Sequence, residues 1–333
     1  LADVEGKREA LLEEFPNPPF PDVPDGADAS GNKVLREEGE KPKFDFAPKD
    51  YLAIAENLGL IDLKQAAIVS GSRFNYLLRD AALLEFALIK LAFDVLVENK
   101  FIPVITPVLI KPEVYRRMGR LASDQKEERY HFPKDDLYLI GSTEHTIGPL
   151  HMDSIIPAED LPKRYVGFST WFRREAGSYG KDVKGILRSH QFDGVEMYSF
   201  VKPEEGEKEL QFLVTMQERL MQALELPYRV VEVCTGEMGW TDARQYDIET
   251  WMPGQGVYRE THTADYNTTF QSRGMNVKYK TSGGKSDLVH TLDATAFAIG
   301  RTLIAIIENY QTKQGTVKVP KALQVYLGKK EIG

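Results

Sequence analysis

Charged and aromatic residues on either side of a basic loop are the part of this sequence that could do chemistry. Arg173 and Glu175 precede a glycine- and lysine-rich stretch, and Arg188 and Phe192 follow it, within the segment TWFRREAGSYGKDVKGILRSHQFDGVEM of residues 170–197. Arginine binds phosphate oxygens in a planar, two-pronged geometry and keeps its charge. A phenylalanine ring can stack on a nucleobase, and a carboxylate can accept from an exocyclic amine. The segment therefore predicts a nucleotide site, and the sequence contains no GxxxxGK[ST] phosphate loop.

The apolar residues around the loop predict two strands joined by a long connection, with the two arginines and the glutamate at strand positions. A basic surface hairpin with weak ion pairs is the alternative interpretation. The complete set of residues resembles motif 2 of the class II aminoacyl-tRNA synthetases, and it follows the seryl pattern of that class. The resemblance implies an ATP site in which Arg173 and Arg188 neutralise phosphate charge, Glu175 assists, and adenine stacks on Phe192.

Two further segments resemble motifs 3 and 1 of the same class. In residues 290–311, a strand is expected to end at residues 293–295 and a helix to carry Arg301 in its first turns, where it would hold the far end of the triphosphate. A predicted helix at residues 76–100 and a proline-containing strand at residues 101–110 resemble motif 1, which lies at the dimer interface in the family. Without the resemblance, Pro107 would indicate an edge strand or a bulge.

Magnesium ligands should be hard oxygen atoms. Residues 258–263, YRETHT, resemble the YREISS segment of the family. The resemblance implies that Glu260 and the hydroxyl of Thr263 hold Mg²⁺ beside the ATP.

The amino-acid pocket is expected around residues 141–144, which resemble the TxE loop of the seryl family. By that resemblance Glu144 and Glu196 bind the substrate ammonium group, Thr295 offers a hydroxyl to a small polar side chain, and Arg173 also contacts the substrate. A site that hydrogen-bonds a hydroxyl can reject alanine, whereas it must exclude threonine sterically.

Several positions of the pocket depart from the family pattern. Ser142 stands where the family usually has threonine, which removes a methyl group. Asp293 stands where it has asparagine, so a second carboxylate would lie near that of the substrate and repel it. The SNCTDFQARR segment of the family reads DYNTTFQSRG at residues 265–274.

The order of predicted elements indicates an α+β fold. Strands are predicted close together, without a helix between each pair, so the sheet should be mainly antiparallel and flanked by helices, as in class II synthetases. Helices are predicted at residues 208–224 and 296–310. The strand-forming segments are residues 137–140, 165–170, 198–201, 228–233, 246–252 and 257–261, followed by 270–274, which leads into 276–280.

The chain has 333 residues and a net charge of −8, so no overall positive field attracts nucleic acid. Its single cysteine, Cys234, excludes a disulfide framework and a cysteine-rich zinc site and fits a reducing cytoplasm. We therefore expect no zinc, and the resemblance is to the common seryl type rather than the zinc-dependent one. No apolar run is long enough to cross a membrane.

Three regions are predicted along the chain. Residues 1–15 resemble the end of the helical arm that grips tRNA in the seryl family, and the start at Leu1 indicates a trimmed or processed N-terminus. Residues 16–43 form a proline-rich and polar connector in which 25–43 are a surface loop. Residues 44–333 form the catalytic domain.

The resemblance implies the core of a serine-tRNA ligase. It would be a cytoplasmic homodimer that uses ATP and Mg²⁺ to convert L-serine to seryl-adenylate, with Arg173, Arg188 and Arg301 as catalytic residues, and that then charges tRNA(Ser). Lys181 and Lys184 would touch the acceptor end, with transfer weakened by the missing arm. Two alternatives stay open, namely a paralogue that loads an amino acid onto a carrier or another acceptor, and a non-catalytic regulator.

Overall fold

An eight-stranded sheet organises the molecule. A computed structural model describes residues 4, 8, 11, 14–123, 125–176, 185–281 and 283–333. The strands of the described residues are β1 (Lys33–Glu38), β2 (Ile61–Asp62), β3 (Tyr76–Leu77), β4 (Ile102–Ile105), β5 (Leu109–Ile110), β6 (His131–Phe132), β7 (Leu137–Leu139), β8 (Ile155–Ile156), β9 (Lys163–Phe172), β10 (Gln191–Val201), β11 (Tyr228–Glu232), β12 (Arg244–Met252), β13 (Val257–Thr268), β14 (Lys278–Lys280), β15 (Ser286–Leu288), β16 (His290–Ala298), β17 (Val317–Lys318) and β18 (Glu331–Ile332).

The large sheet is mainly antiparallel, as predicted. Its strand order is β1-β11-β12-β13-β16-β10-β9-β4. Strand β4 runs parallel to β9, and the other neighbours in this sheet are antiparallel. The remaining strands form small sheets at the periphery. The fold is therefore α+β, with a sheet whose central strands β13, β16 and β10 come from distant parts of the sequence.

The helices of the described residues are α1 (Tyr51–Asn57), α2 (Leu63–Ser70), α3 (Asp80–Glu98), α4 (Pro112–Arg117), α5 (Glu144–Ile147), α6 (Gly206–Ala223), α7 (Phe270–Met275), α8 (Ile299–Asn309) and α9 (Lys321–Leu327). Short 3₁₀ turns lie at Ala29–Gly31, Gln125–Glu128, Gly148–His151, Ala158–Asp160 and Pro203–Glu205. Asp62 begins α2 by accepting a hydrogen bond from the backbone N–H of Gln65 at 2.8 Å, which satisfies a donor that the helix itself leaves unpaired.

The two faces of the large sheet have different chemistry. On one face, alternate strand residues such as Val195, Met197 and Ala294 pack with apolar residues of α3, α6 and α8 in a single buried cluster. The residues between them, among them Glu196 and Asp293, point to the other face, because side chains alternate along a strand. The helical layer therefore fixes the sheet from one side and leaves a polar face on the other.

The structure corrects the predicted boundaries of motif 1. The helix begins at Asp80 rather than at residue 76, because Tyr76 and Leu77 pair with Ile61 and Asp62 as a short ladder. The predicted strand of residues 101–110 is divided into β4 and β5. Pro107 lies in the gap between them, where a residue without an N–H cannot donate to a ladder.

Other boundary predictions were also wrong. Residues 270–274 form helix α7 rather than a strand, and β16 continues to Ala298, so α8 begins at Ile299 instead of residue 296. The predicted surface loop of residues 25–43 contains β1, which pairs with β11 at the edge of the large sheet. Its polar sequence KVLREE is half to fully exposed, and an edge strand exposed on both faces has the composition of a loop.

Parts of the N-terminal and loop predictions lie outside the described residues. Of the predicted helix at residues 1–15, the structure describes residues 4, 8, 11, 14 and 15. Lys181 and Lys184 are also outside the described part of the chain. The division into residues 1–15, 16–43 and 44–333 stays a prediction. None of the helices formed by the described residues combines the length and apolar character needed to cross a membrane.

Candidate active site

A cavity of about 810 Å³ opens on the polar face of the large sheet. Its volume is in the range of small-molecule and cofactor sites. All of the predicted site residues line it, although they come from three strands, two helices and two loops: Ser142, Glu144, Arg173, Glu175, Arg188, Phe192, Glu196, Glu260, Thr263, Asp293, Thr295 and Arg301. The sequence prediction thus brought together residues that lie up to about half the chain apart.

A β-bulge places the two predicted magnesium ligands on the same face. Glu260 and Thr263 are three residues apart on β13, so in a regular strand their side chains would point to opposite faces. The ladder with β12 shifts between the pairs Glu249–Glu260 and Ile248–His262. The extra residue reverses the alternation, and both oxygen-bearing side chains reach the cavity.

The hairpin that carries motif 2 is β9 and β10, and its arginines lie just outside the strands. Strand β9 ends at Phe172 and β10 begins at Gln191, so the prediction of strand positions for Arg173, Glu175 and Arg188 was wrong. The ladder nevertheless continues beyond the strand ends, since the backbone N–H of Arg173 donates to the carbonyl of His190 at 3.0 Å. This bond fixes the backbone at the mouth of the loop.

Arg173 is held over the centre of the cavity. Its Nε donates to the carbonyl oxygen of Gly141 at 3.0 Å, and its guanidinium lies 5.5 Å from the centre of the Phe192 ring. Burial, followed by the charge of Arg129, lowers the pKa of Arg173 from its ordinary value. Arg173 is half-buried and has no ion-pair partner among the described residues, so its guanidinium can bind an anionic ligand without first breaking an ion pair within that part of the chain.

The aromatic wall beside Arg173 depends on a glycine. A β carbon at Gly194 would lie 2.3 Å from the Trp171 ring, so any other residue here would displace the indole. Trp171 then donates to the hydroxyl of Thr143 at 2.7 Å and packs edge-on against Phe192, with the ring centres 5.5 Å apart. The packing fixes the orientation of Phe192, the residue predicted to stack on adenine.

Arg188 and Arg301 also line the cavity, and each has a carboxylate partner. We call these two residues together with Arg173 the arginine end of the cavity. Arg188 lies 3.5 Å from Glu175, and Arg301 donates to Glu260 at 2.6 Å. Burial would raise the pKa of Glu260, but Arg301 lowers it below its usual value. The carboxylate is therefore ionised and available to a cation at neutral pH.

The predicted ammonium site around Glu144 contains an ion pair that the sequence had not indicated. Arg120 lies 2.7 Å from Glu144, and both side chains are largely buried, at 13% and 4% exposed. Burial would lower the pKa of Arg120 and raise that of Glu144. The mutual attraction reverses both shifts, so Arg120 has a raised pKa and Glu144 a lowered one.

His145 supports the same carboxylate. Its Nδ1 accepts from the backbone N–H of Gly141 at 3.1 Å, and its Nε2 lies 3.1 Å from Glu144. The ring therefore carries its proton on Nε2 and donates it to the carboxylate. Burial lowers the pKa of His145 to about 3, so the imidazole is neutral at physiological pH.

Three aspartates lie with the two glutamates at what we call the acid end of the cavity: Glu144, Glu196, Asp242, Asp265 and Asp293. Asp265 and Asp293 are direct cross-strand partners on β13 and β16. Asp293 accepts from the side-chain amide of Asn267 at 2.7 Å. Burial, with the negative charge of Glu144, holds the pKa of Asp293 well above its usual range.

Asp242 and Asp265 were missed in the sequence, as was Arg120. Asp265 could have been found, because it follows Thr263 by two residues on the same strand and must share its face. Arg120 and Asp242 lie in connections outside the strands and helices. No periodicity indicates which way a loop residue points, so nothing in the sequence pattern places them in the pocket.

Glu260 and Thr263 could hold a magnesium ion only together with a bound ligand that supplies further oxygen atoms. Among the described residues, no group of three histidine, cysteine, aspartate or glutamate side chains could hold a metal ion. Glu260 and Thr263 supply one carboxylate and one hydroxyl, both hard oxygen donors. Mg²⁺ commonly takes one or two protein carboxylates and completes its shell with phosphate oxygens and water, and this donor set suits that arrangement.

Comparison with known proteins identifies the class of this site. A family model described as the tRNA synthetase class II core domain (G, H, P, S and T) matches residues 127–310. That range contains both strands of the motif 2 hairpin, Glu260 and Arg301. Together with the mainly antiparallel sheet, the match defines a class II synthetase core.

Individual relatives identify one family within this class. The serine–tRNA ligase of a Sulfurihydrogenibium species is 46% identical over 98% of this chain and 78% of its own length. A crystal structure of seryl-tRNA synthetase from Pyrococcus horikoshii complexed with ATP is 39% identical and superposes with a TM-score of 0.96 over 99% of this chain and 78% of its own. The cytoplasmic serine-tRNA ligase from Naegleria fowleri in complex with AMP gives a TM-score of 0.92 at 32% identity over 98% and 78%. The chain belongs to the seryl-tRNA synthetase family.

Proposed function

We propose that this protein activates L-serine with ATP. A carboxylate oxygen of serine attacks the α-phosphorus in line, the bond to the β-phosphate breaks, and seryl-adenylate and pyrophosphate form. The observation that carries the proposal is the single cavity in which Arg173, Arg188 and Arg301 lie at one end and carboxylates at the other. The triphosphate of ATP needs positive charge and the ammonium group of serine needs negative charge, and the two must lie about the length of one amino acid apart. The cavity supplies both.

Each end has a defined task in this proposal. Arg173 binds the α-phosphate and the serine carboxylate, and Arg188 and Arg301 hold the outer phosphates. Adenine stacks on Phe192 beside Glu175. Mg²⁺, held by Glu260 and Thr263, would neutralise phosphate charge. At the acid end, Glu144, Glu196, Asp293, Ser142 and Thr295 bind the serine ammonium and hydroxyl groups.

Amino-acid-dependent exchange of labelled pyrophosphate into ATP tests this function directly. We expect exchange with L-serine, because adenylate formation is reversible while the adenylate stays bound. L-Alanine, which lacks the hydroxyl, should support little exchange. If none of the amino acids supports exchange, the result would contradict the proposal and would favour a non-catalytic role.

We further propose that the seryl group passes to tRNA(Ser) through contacts at its acceptor end, with Lys181 and Lys184 contributing. The net charge of −8 gives these 333 residues little counterion-release affinity for RNA. Aminoacylation should therefore be weak. Because the contacts proposed for the two lysines are ionic, it should fall as salt is raised, while serine-dependent pyrophosphate exchange changes little. Charging that is insensitive to salt would contradict this view of the contact, and loading of a carrier protein instead would indicate another acceptor.

A twofold dimer is the expected assembly, and exposed apolar side chains on α3 and β4 support it. Phe86 is 68% exposed and Ile105 is 73% exposed. A Phe86→Lys/Ile105→Lys variant should sediment as a monomer at micromolar concentration. Val325→Lys, which changes a side chain 79% exposed on α9, is the control and should leave the dimer intact. A monomeric wild-type chain would contradict the proposal.

We also propose a cytoplasmic location, which fractionation of cells can test.

A further inference from the structure

The acid end of the cavity holds more carboxyl groups than one amino-acid ammonium can use. Glu144 is already paired with Arg120 at 2.7 Å, so it has a cation of its own. Glu196, Asp242, Asp265 and Asp293 line the same end. A single ammonium from serine can be shared by Glu196 and one neighbour. The remaining carboxyl groups then have no ligand charge to match them.

Asp265 shows that one of these additional carboxyl groups is placed to meet a ligand in the cavity. Its side chain is 92% buried, since the residue is 8% exposed, and it lines the cavity. Its Oδ1 has no hydrogen-bond partner among the residues that the structure describes. A buried acceptor without a partner costs free energy, and such a group is commonly satisfied when a ligand arrives.

The geometry of the sheet sets the size of the ligand group that could hydrogen-bond to Asp265. Asp265 and Asp293 are opposite each other on adjacent strands, where β carbons are about 5 Å apart, so one donor can reach both. Glu196 faces Thr295, and Asp293 faces Tyr198, two residues further along. Glu196 and Asp293 are therefore diagonal neighbours, with β carbons roughly 7–8 Å apart. Two cations separated by a short chain fit between these carboxylates.

We propose that the acid end is a binding site for a second ammonium group on the substrate, so that the cavity accepts short L-diamino acids, with the α-ammonium at Glu196 and the side-chain ammonium between Asp265 and Asp293. The inference rests on the proposed activation by ATP. The chemistry of activation is unchanged, because the substrate carboxylate still attacks the α-phosphorus and pyrophosphate still leaves.

The experiment compares pyrophosphate exchange with L-serine, L-2,3-diaminopropionate, L-2,4-diaminobutyrate and L-2-aminobutyrate, the last being a short chain without charge. We expect kcat/KM for at least one diamino acid to equal or exceed that for serine, and to exceed that for 2-aminobutyrate by roughly tenfold or more, as expected for a charge-assisted hydrogen bond. Exchange with serine but with neither diamino acid would overturn the inference and leave the proposed function standing. Exchange with none of the four would contradict both.

Variants assign the effect to the carboxylates. Asp265→Asn should lower kcat/KM for the diamino acid by roughly tenfold relative to serine. Asp193→Asn is the matched control. Asp193 lies on the same sheet, and its buried Oδ1 also has no partner within the described part of the chain. It lines a different cavity beside Glu85, so the ratio should not change. Equal losses for serine and the diamino acid in Asp265→Asn would show a structural role and overturn the inference. If that variant does not fold, Asp293→Asn removes the other carboxyl group of the proposed pair and provides the same comparison of the diamino acid with serine.

Discussion

The arginine end and the acid end of the cavity handle charge in different ways. At the arginine end, Arg188 and Arg301 remain 44% and 24% exposed at the side chain, and water screens them until a ligand arrives. At the acid end, Glu144 is 4% exposed, and its charge is balanced inside the protein by Arg120. The first arrangement is ready to bind an anion, whereas the second must keep its own charges in balance even when the cavity is empty.

Removing the internal cation should therefore give the largest effect on stability. Arg120→Met leaves Glu144 buried among other carboxyl groups without its guanidinium partner. Breaking one side of a buried ion pair costs about 3–5 kcal/mol in the free energy of unfolding. Denaturant unfolding at neutral pH would measure this loss, and the Arg120→Met/Glu144→Gln double variant should recover most of it.

A more exposed ion pair provides the comparison for Arg120. Arg36 pairs with Glu218 at 2.6 Å, but its side chain is 37% exposed. Arg36→Met should cost less than about 1 kcal/mol. If Arg120→Met costs no more than Arg36→Met, the acid end does not depend on internal charge balance.

At the arginine end, the largest effect should appear in catalysis instead of stability. Arg173→Ala removes the half-buried guanidinium that lines the cavity, and we expect a loss of about 3–4 kcal/mol in the activation step, similar to removal of a preorganised donor in an oxyanion hole. Serine-dependent pyrophosphate exchange measures it, while the free energy of unfolding should change little.

Arg174 offers a matched control for that variant. It is the next residue in the chain, and its guanidinium lies 5.5 Å from the Tyr130 ring centre rather than in the cavity. Arg174→Ala should retain near-normal exchange. Normal exchange by Arg173→Ala would refute the assignment of Arg173 to the phosphates.

The smallest of these effects should be a pH dependence that comes from His145. Its pKa is lowered by burial from 6.5 to about 3, so between these values the unfolded chain binds a proton that the folded protein does not. The stability is fully present above pH 6.5 and is lost as the pH falls, by up to about 1.4 kcal/mol per pH unit.

Urea unfolding between pH 7 and pH 5 tests this dependence. His145→Gln should flatten the curve by that amount, while the other buried histidines contribute equally to both proteins. Parallel curves for the variant and the wild-type chain would show that folding does not lower the pKa of His145.

The arginine end was predictable from the sequence, and the acid end only in part. Arg173, Arg188 and Arg301 lie in local motifs, where a few neighbouring residues determine their position. Glu260 and Thr263 were found through resemblance, although the bulge that brings them together depends on pairing with β12 and has no local signal. Arg120 and Asp242 reach the pocket from loops, whose direction depends on tertiary packing.

The fold shows the same division between local and distant interactions. Helix α6 and strands β11 and β12 follow from apolar periodicity, and their predicted spans were nearly correct. Strands β10 and β13 are each seven residues longer than predicted. Strand β1 was missed because its pairing partner, β11, lies almost 200 residues later, and an exposed edge strand has no apolar pattern of its own. The start of α3 was displaced because Tyr76 and Leu77 pair with distant residues instead of continuing the helix.

A crystal structure with a non-hydrolysable sulfamoyl analogue of seryl-adenylate would test most directly whether the two ends have separate tasks. We predict the sulfamoyl group, which replaces the α-phosphate, within hydrogen-bond distance of Arg173, adenine against Phe192, and the ammonium group at Glu196 within the acid end. An analogue bound in the reverse direction, or with its ammonium group away from every carboxylate of the acid end, would contradict the account.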